Sequence, residues 1–254
     1  MKPQSLIFVL LALPCQPASA QTIAKAEQQL IRHLEKIDSL HMLRGPDAPE
    51  DLDEAMATEN NKLGRELEVL AANNTASLTY PFIRLQKIGM TIATSKDGRL
   101  RIYSWDSEMG GTAHTYSTVY QYKIGNKLYS SLTPEADSYY SDVYTVDIQD
   151  RRYYLALAHA TAATLRENES IQAFALTDGT LSDTAARIIK TQSGLTNTLG
   201  FDYIMDIHAP DGNLIHYVDA TKTIWFPVVL PGGLVTKKRI TYRLSGKYFE
   251  KAKE

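Results

Sequence analysis

The chain has 254 residues, with 27 Lys and Arg against 29 Asp and Glu and a formal net charge of −2. This near balance gives no reason to expect a nucleic acid or an anionic membrane surface as a partner. The single cysteine, Cys15, excludes an intramolecular disulfide, so the fold must be stabilised by its core.

Residues 1–20 are typical of a secretory signal peptide. Lys2 gives a positive start, residues 6–13 form a short apolar run, and Ala18-Ser19-Ala20 fits a cleavage site. The apolar run is too short for a transmembrane helix, which needs about 20 residues. We therefore expect a soluble exported protein, periplasmic or extracellular, that begins at Gln21. A lipid anchor at Cys15 is the alternative, disfavoured because the preceding residues lack the small side chains of a lipidation site.

Residues 21–77 are predicted to form a helical hairpin. Apolar residues recur at helical spacing from Thr22 to Leu43, where Gly45-Pro46 ends the pattern, and again from Pro49 to Asn73. Such a hairpin most often packs on its own protein, and the alternative is an arm that binds a partner.

Residues 78–254 are predicted to form an antiparallel β domain, which makes the chain mainly β and α+β overall. Turn residues recur at short intervals, as in Lys96-Asp97-Gly98 and Gly125-Asn126, and no clear helices separate them. Even the Ala-rich segment that begins at Tyr153 is interpreted as a strand in its first half. We expect about twelve strands in a meander, arranged as a propeller-like ring, a barrel or a sandwich.

Two segments of this domain resemble a known group of proteins. "GRLRIYSWDSEMGGTAH" (98–114) and "LVTKKRITYRLSGKYFEK" (234–251) are similar to a family of exported, β-rich bacterial proteins without an assigned activity. The resemblance spans about residue 80 to the C-terminus. It implies a β-rich exported fold and carries no catalytic assignment that could be transferred to this chain.

The first hairpin of the domain supplies the main candidate site. A three-residue loop at Lys96-Asp97-Gly98 would pair Ser95 with Arg99 and place Ile92 on the same face as Ile102. An aromatic strip would then occupy the other face, next to a polar loop. The predicted ligand-binding residues are Arg101, Tyr103, Trp105, Asp106, Thr112 and His114.

This strip would suit a carbohydrate or an extended peptide. The competing interpretation is that a second layer covers it and that its aromatic residues belong to the core. Asp106 and Glu108 could instead divide acid and base roles in a hydrolase acting on envelope or extracellular polymers, although acidic residues beside a Gly-Gly turn more often cap backbone groups.

A second polar cluster lies at residues 201–219 and includes Asp206, His208, Asp211 and His216. A turn at 210–213 would place the two histidines on opposite sides of a sheet, so we predict no metal site. Common catalytic and nucleotide-binding motifs are absent from the sequence. We predict no cofactor and, without excluding an enzyme, a binding or interaction module. A third alternative is a structural or inhibitory partner of another secreted protein, bound through the helical hairpin.

The C-terminal part is predicted to contain two core strands around Pro231-Gly232-Gly233. The expected core residues of the first strand are Trp225, Phe226, Val228 and Leu230. In the final strand, Tyr242 and its apolar neighbours alternate with polar residues, which predicts that the C-terminal segment is docked onto the sheet.

Overall fold

The computed structural model describes residues 18–205 and 212–253, with side chains described from Thr22. Its helices are α1 (Ala18–His41), α2 (Leu52–Asn73) and the short α3 (Ile83–Lys87). Its first eight strands are β1 (Thr91–Thr94), β2 (Leu100–Asp106), β3 (Tyr116–Ile124), β4 (Lys127–Ala136), β5 (Tyr139–Ile148), β6 (Arg151–Ala163), β7 (Arg166–Thr177) and β8 (Thr180–Ser182). The others are β9 (Ile189–Thr191), β10 (Gly194–Thr196), β11 (Thr198–Ile204), β12 (His216–Val218), β13 (Thr223–Val229), β14 (Val235–Ser245) and β15 (Tyr248–Lys251).

The predicted helical hairpin is confirmed as α1 and α2. Their inward apolar residues are spaced by three or four positions, as in Leu30, Leu34 and Ile37 of α1, and these residues are buried. Within the described residues, no helix is both long and apolar enough to span a membrane.

The strands form three sheets. The first sheet has the order β1-β2-β3-β4, and the second has the order β11-β7-β6-β5, with β8 paired to β7. The third sheet has the order β10-β9-β15-β14-β13-β12. Runs of consecutive strands are therefore neighbours, as a meander predicts, and most pairs are antiparallel.

The helical hairpin and the sheets are stacked as four successive layers. One face of the first sheet packs on α1 and α2 through a core that includes Trp105 and Leu67. Its other face packs on the second sheet through Ile102 and Tyr154. The second sheet in turn packs on the third through residues such as Leu155. Both faces of the second sheet are therefore buried.

The mainly β prediction is confirmed, and the structure specifies the arrangement. In the described residues each sheet is open, and the stacked sheets resemble a sandwich with an extra layer rather than a propeller or a closed barrel. Tyr153 lies in β6, so that segment is a strand as predicted. Two details differ from the prediction. Strands begin at Thr91, after α3, and β15 pairs in parallel with β9.

A candidate binding site at the polar end of the second sheet

The predicted register of the first hairpin is wrong by one residue. Ile92 pairs with Tyr103, and the Ser95 N–H donates to the Leu100 carbonyl over 2.8 Å, so the loop has four residues. The side chains of Ser95 and Asp97 explain the extra residue. Asp97 Oδ1 accepts hydrogen bonds from the Ser95 hydroxyl (2.7 Å) and the Arg99 N–H (3.1 Å). These bonds satisfy the backbone of the longer turn.

The aromatic strip of β2 is covered by the helical hairpin and is not an exposed platform. Arg101, Tyr103 and Trp105 are 4 %, 0 % and 1 % exposed. Trp105 Nε1 donates to Asn60 Oδ1 over 2.9 Å, and Asn60 Nδ2 donates to the Ser107 carbonyl over 2.9 Å. The strip is therefore part of the core, as the competing interpretation predicted.

The other polar groups of the strip also form hydrogen bonds within the protein. The Tyr103 hydroxyl contacts the Ser77 carbonyl and Gln121 Oε1, each at 2.9 Å, and burial raises the pKa of Tyr103 to about 12. Arg101 donates to the same Ser77 carbonyl over 2.6 Å, and burial lowers its pKa. Its guanidinium lies over the rings of Phe82 and Tyr103. These groups join β2 to the segment before α3.

The loop after β2 holds the remaining predicted residues. Asp106 Oδ2 contacts His114 Nδ1, and Asp106 Oδ1 accepts the Glu108 N–H over 2.9 Å. Thr112 and His114 are exposed. Glu108 Oε2 lies 3.2 Å from His41 Nδ1, and burial, then the charge of Asp106, raises the pKa of Glu108. Asp106 thus caps a turn and orients His114.

His114 leads to a group of polar and aromatic residues that the sequence did not predict as a site. The backbone N–H of His114 donates to the Thr161 carbonyl over 3.0 Å, and the His114 ring stacks on Tyr116 with centroids 6.3 Å apart. From there, polar side chains of four neighbouring strands of the second sheet follow. We call this group the tyrosine–histidine cluster, and it comprises Tyr116, Tyr139, Ser141, His159, Thr161, Glu167, Glu169 and Tyr203.

The strand register brings the cluster together. His159 pairs with Tyr139 on one side and with Glu169 on the other, while Glu167 pairs with Thr161 and Tyr203. Directly paired residues point to the same face of a sheet. This is the face whose apolar part packs on the third sheet, but Tyr139 and His159 are only partly buried.

Aromatic contacts run through the cluster. The rings of Tyr139 and His159 stack with centroids 5.1 Å apart, and Tyr116 lies 5.2 Å from Tyr139. Thr161 Oγ1 donates to a carboxylate oxygen of Glu167 over 3.0 Å. Rings and hydrogen-bonding oxygens therefore lie side by side on a partly exposed surface.

His159 has polar neighbours at both ring nitrogens. Ser141 Oγ lies 2.8 Å from Nε2, and Glu169 Oε2 lies 4.0 Å from Nδ1. Ser141 sits at a bulge where β5 shifts register, and its hydroxyl also reaches Asp142 Oδ2 at 3.1 Å. Burial lowers the pKa of His159, which favours a neutral imidazole able to accept a proton.

Glu169 connects the second and third sheets. Its buried carboxylate accepts the N–H of Leu214 over 2.9 Å and that of Ile215 over 2.6 Å. Burial raises the pKa of Glu169, and the bond from Ile215 opposes this rise. Burial, followed by the charges of Glu169 and Glu167, raises the pKa of Tyr203 to about 12. Both carboxylates thus act on the Tyr203 hydroxyl, on the face of the second sheet that carries the cluster.

The second predicted polar cluster is divided between two sheets where the structure describes it. β11 pairs with β7 of the second sheet, β12 pairs with β13 of the third, and Leu214 and Ile215, just before β12, bond to Glu169. His216 stacks on Trp225 with centroids 3.9 Å apart. Asp206, His208 and Asp211 lie outside the described residues. Among the residues described, no group of three or more His, Cys, Asp or Glu side chains could hold a metal ion.

Searches of protein-family models, curated proteins and solved structures found no match to this chain. The resemblance to exported β-rich bacterial proteins stays a prediction from two segments. The candidate site is therefore assigned from its geometry.

Proposed function

We propose that the protein is an exported binding module whose ligand contacts the tyrosine–histidine cluster. The predicted signal peptide supports export. One observation supports binding: the partly exposed rings of Tyr139 and His159 stack beside the carboxylate of Glu167 and the hydroxyl of Thr161. Rings next to hydrogen-bonding groups suit a carbohydrate, which presents apolar ring faces between hydroxyls.

Glycan and peptide arrays probed with the full protein test this function. We expect a glycan to bind, and Tyr139→Ala to weaken its binding about tenfold, which corresponds to about 1.4 kcal/mol. Tyr129→Ala is the matched control, because Tyr129 is a partly buried tyrosine on β4, outside the cluster. If the protein binds peptides and no glycan, the proposed ligand class is a peptide rather than a carbohydrate. Equal affinity of Tyr139→Ala and the unaltered protein would exclude the cluster.

A second candidate function is hydrolysis, and the Ser141–His159 contact favours it. A neutral His159 could take the Ser141 proton as the hydroxyl oxygen attacks an ester or amide carbonyl, then return it to the leaving group. Glu169 near Nδ1 would stabilise the imidazolium that forms. Water would then release the acyl group from Ser141. This arrangement differs from the predicted one, in which Asp106 and Glu108 act as the acid and base.

Reaction with a fluorophosphonate probe distinguishes hydrolysis from binding. A nucleophilic Ser141 would be labelled covalently, and mass spectrometry would locate the label. Ser130→Ala is the control for Ser141→Ala, because the Ser130 hydroxyl only donates to the Glu68 carbonyl. Absence of label at Ser141 would exclude it as a nucleophile and leave the binding function unaffected.

The interaction alternative, through the helical hairpin, receives less support. The apolar faces of α1 and α2 are already packed on the first sheet. A partner would have to contact the outward face, where Val69 is the most exposed apolar residue of α2.

A further inference from the structure

Three chain segments meet at one end of the second and third sheets. The Met205 N–H donates to the Leu165 carbonyl over 2.9 Å, and the Ile204 N–H donates to the Gly233 carbonyl over 2.9 Å. These bonds join the β6–β7 turn, the end of β11 and the β13–β14 turn. Gly233 permits the close approach, since a Cβ atom there would lie 2.9 Å from Ile204 Cγ1.

The joined segments expose large apolar side chains at one place. Leu230 was predicted to be a core residue, yet it is 45 % exposed, and its neighbour across the turn, Leu234, is 55 % exposed. We call this group the apolar tip, and it comprises Leu165, Ile204, Met205, Leu230 and Leu234. An adjacent cleft of about 440 Å³ is lined by Tyr203 and Pro231. A cluster of this kind is typical of an interaction site, whereas isolated exposed apolar residues are ordinary.

Cationic side chains flank the apolar tip. Lys237, Lys238 and Arg239 follow the turn on β14 and are exposed, and none forms an ion pair with another described residue. Arg166 lines the cleft. The acidic residue in the cleft is Asp202, whose Oδ1 accepts a hydrogen bond from Asn168. Glu167, which pairs with Tyr203, is a second nearby carboxylate and accepts a hydrogen bond from Thr161. Among the described residues around the tip, the four cations therefore outnumber the two carboxylates.

We propose that the apolar tip docks on the surface of an anionic lipid bilayer. Leucines at a protruding turn can enter the boundary between headgroups and acyl chains, while cations beside them contact lipid phosphates. Charge complementarity favours this partner, because Lys237 and Lys238 lack acidic partners among the described residues. The apolar tip adjoins the tyrosine–histidine cluster at Tyr203, which lines the cleft, but it contains none of the cluster residues. The proposal does not depend on the function proposed for the cluster.

Flotation of the full protein with lipid vesicles tests the proposal. We expect binding to vesicles of phosphatidylglycerol and phosphatidylcholine to be about tenfold tighter than to phosphatidylcholine alone, and to weaken at high salt. Leu230→Ser/Leu234→Ser should reduce binding to the anionic vesicles about tenfold. Lys237→Gln/Lys238→Gln should remove most of the preference for anionic lipid. All four residues are partly or fully exposed, so the melting temperature should change little.

Val69→Ser/Ile83→Ser is the matched control, because both residues are exposed apolar side chains on the helical side, at 61 % and 56 %. This variant should float like the unaltered protein. The proposal is overturned if the unaltered protein does not float, or if the tip variant binds as well as the control. It is also overturned if the tip substitutions only convert a dimer to a monomer in sedimentation without vesicles, since the tip would then contact a second copy.

Discussion

At the level of single residues, Trp105 shows how one side chain joins two layers. Its indole packs among residues of α1, α2 and the first sheet, and its N–H is satisfied by Asn60 of α2. Asn60 also bonds to the Ser107 carbonyl in the loop that positions Asp106. A buried polar network of this kind stabilises the fold only when all its members are bonded.

Trp105→Ala should therefore lower the free energy of unfolding by about 3–5 kcal/mol, through lost burial and an unsatisfied Asn60. Denaturant unfolding measures this change. Trp225→Ala is the control, because Trp225 is partly exposed on the outer face of the third sheet, between His216 and Arg239. The decrease in the free energy of unfolding should be clearly smaller for Trp225→Ala than for Trp105→Ala. Equal losses in the two variants would contradict the buried role of Trp105.

His159 should contribute to the pH dependence of stability. Burial lowers its pKa below the ordinary value of 6.5 in the folded state. At a pH between the lowered pKa of the folded state and the ordinary pKa of the unfolded chain, the unfolded chain binds a proton at His159 that the folded protein does not. Stability therefore decreases as pH falls below about 6.5. Chemical unfolding at a series of pH values should show a smaller decrease for His159→Gln. An unchanged pH dependence in that variant would refute this assignment.

The sequence predicted which residues of β2 share a face and offered a covering layer as one alternative, but it did not predict that the helical hairpin is this layer. Alternation placed Arg101, Tyr103 and Trp105 together. Their register depended on one loop residue, which the side chains of Ser95 and Asp97 accommodate. The tyrosine–histidine cluster gave no local signal, because its members come from several strands. The 15 tyrosines of the chain were only a general indication of β structure.

Among the elements, β6 shows most clearly why the stacking was difficult to predict. A strand covered on one side alternates between apolar and polar residues, but Tyr153 to Ala158 are all buried. Such a run resembles a buried helix as much as a strand. The helical hairpin was easier to predict, because its apolar residues follow the helical period and Gly45-Pro46 marks its turn.

The last two strands are expected to be essential for the third sheet. β14 pairs with β13, and β15 lies between β14 and β9, while Tyr242 and Phe249 are buried in the core beneath. Deleting residues 238–254 would leave β9 and β13 without these neighbours. We expect the shortened chain to show no cooperative thermal unfolding by near-ultraviolet circular dichroism. A shortened chain that melts like the full protein would show that β14 and β15 are dispensable.

For the whole molecule, the layered order means that the helical hairpin covers the first sheet. Met90, Tyr103 and Val119 contribute to the core beneath α1 and α2. Removing residues 21–77 should expose this apolar face and cause aggregation, since large exposed apolar patches promote association. Light scattering during refolding would measure this aggregation. A monomeric remainder with an unchanged melting temperature would instead support the alternative that the hairpin is a partner-binding arm.

The parallel pairing of β15 with β9 has a consequence for the order of assembly. The helical hairpin and first sheet use residues before 137, and β5 to β8 of the second sheet follow directly, so these elements join segments close in the chain, and only β11 is added to the second sheet later. The third sheet must instead wait for its last strand, because Phe249 and Glu250 pair with Ile189 and Lys190. Contacts between distant segments form slowly. Pulsed hydrogen exchange should therefore protect the first sheet early and Phe249 last, which leaves the edge of β9 open to misassembly until the C-terminus arrives.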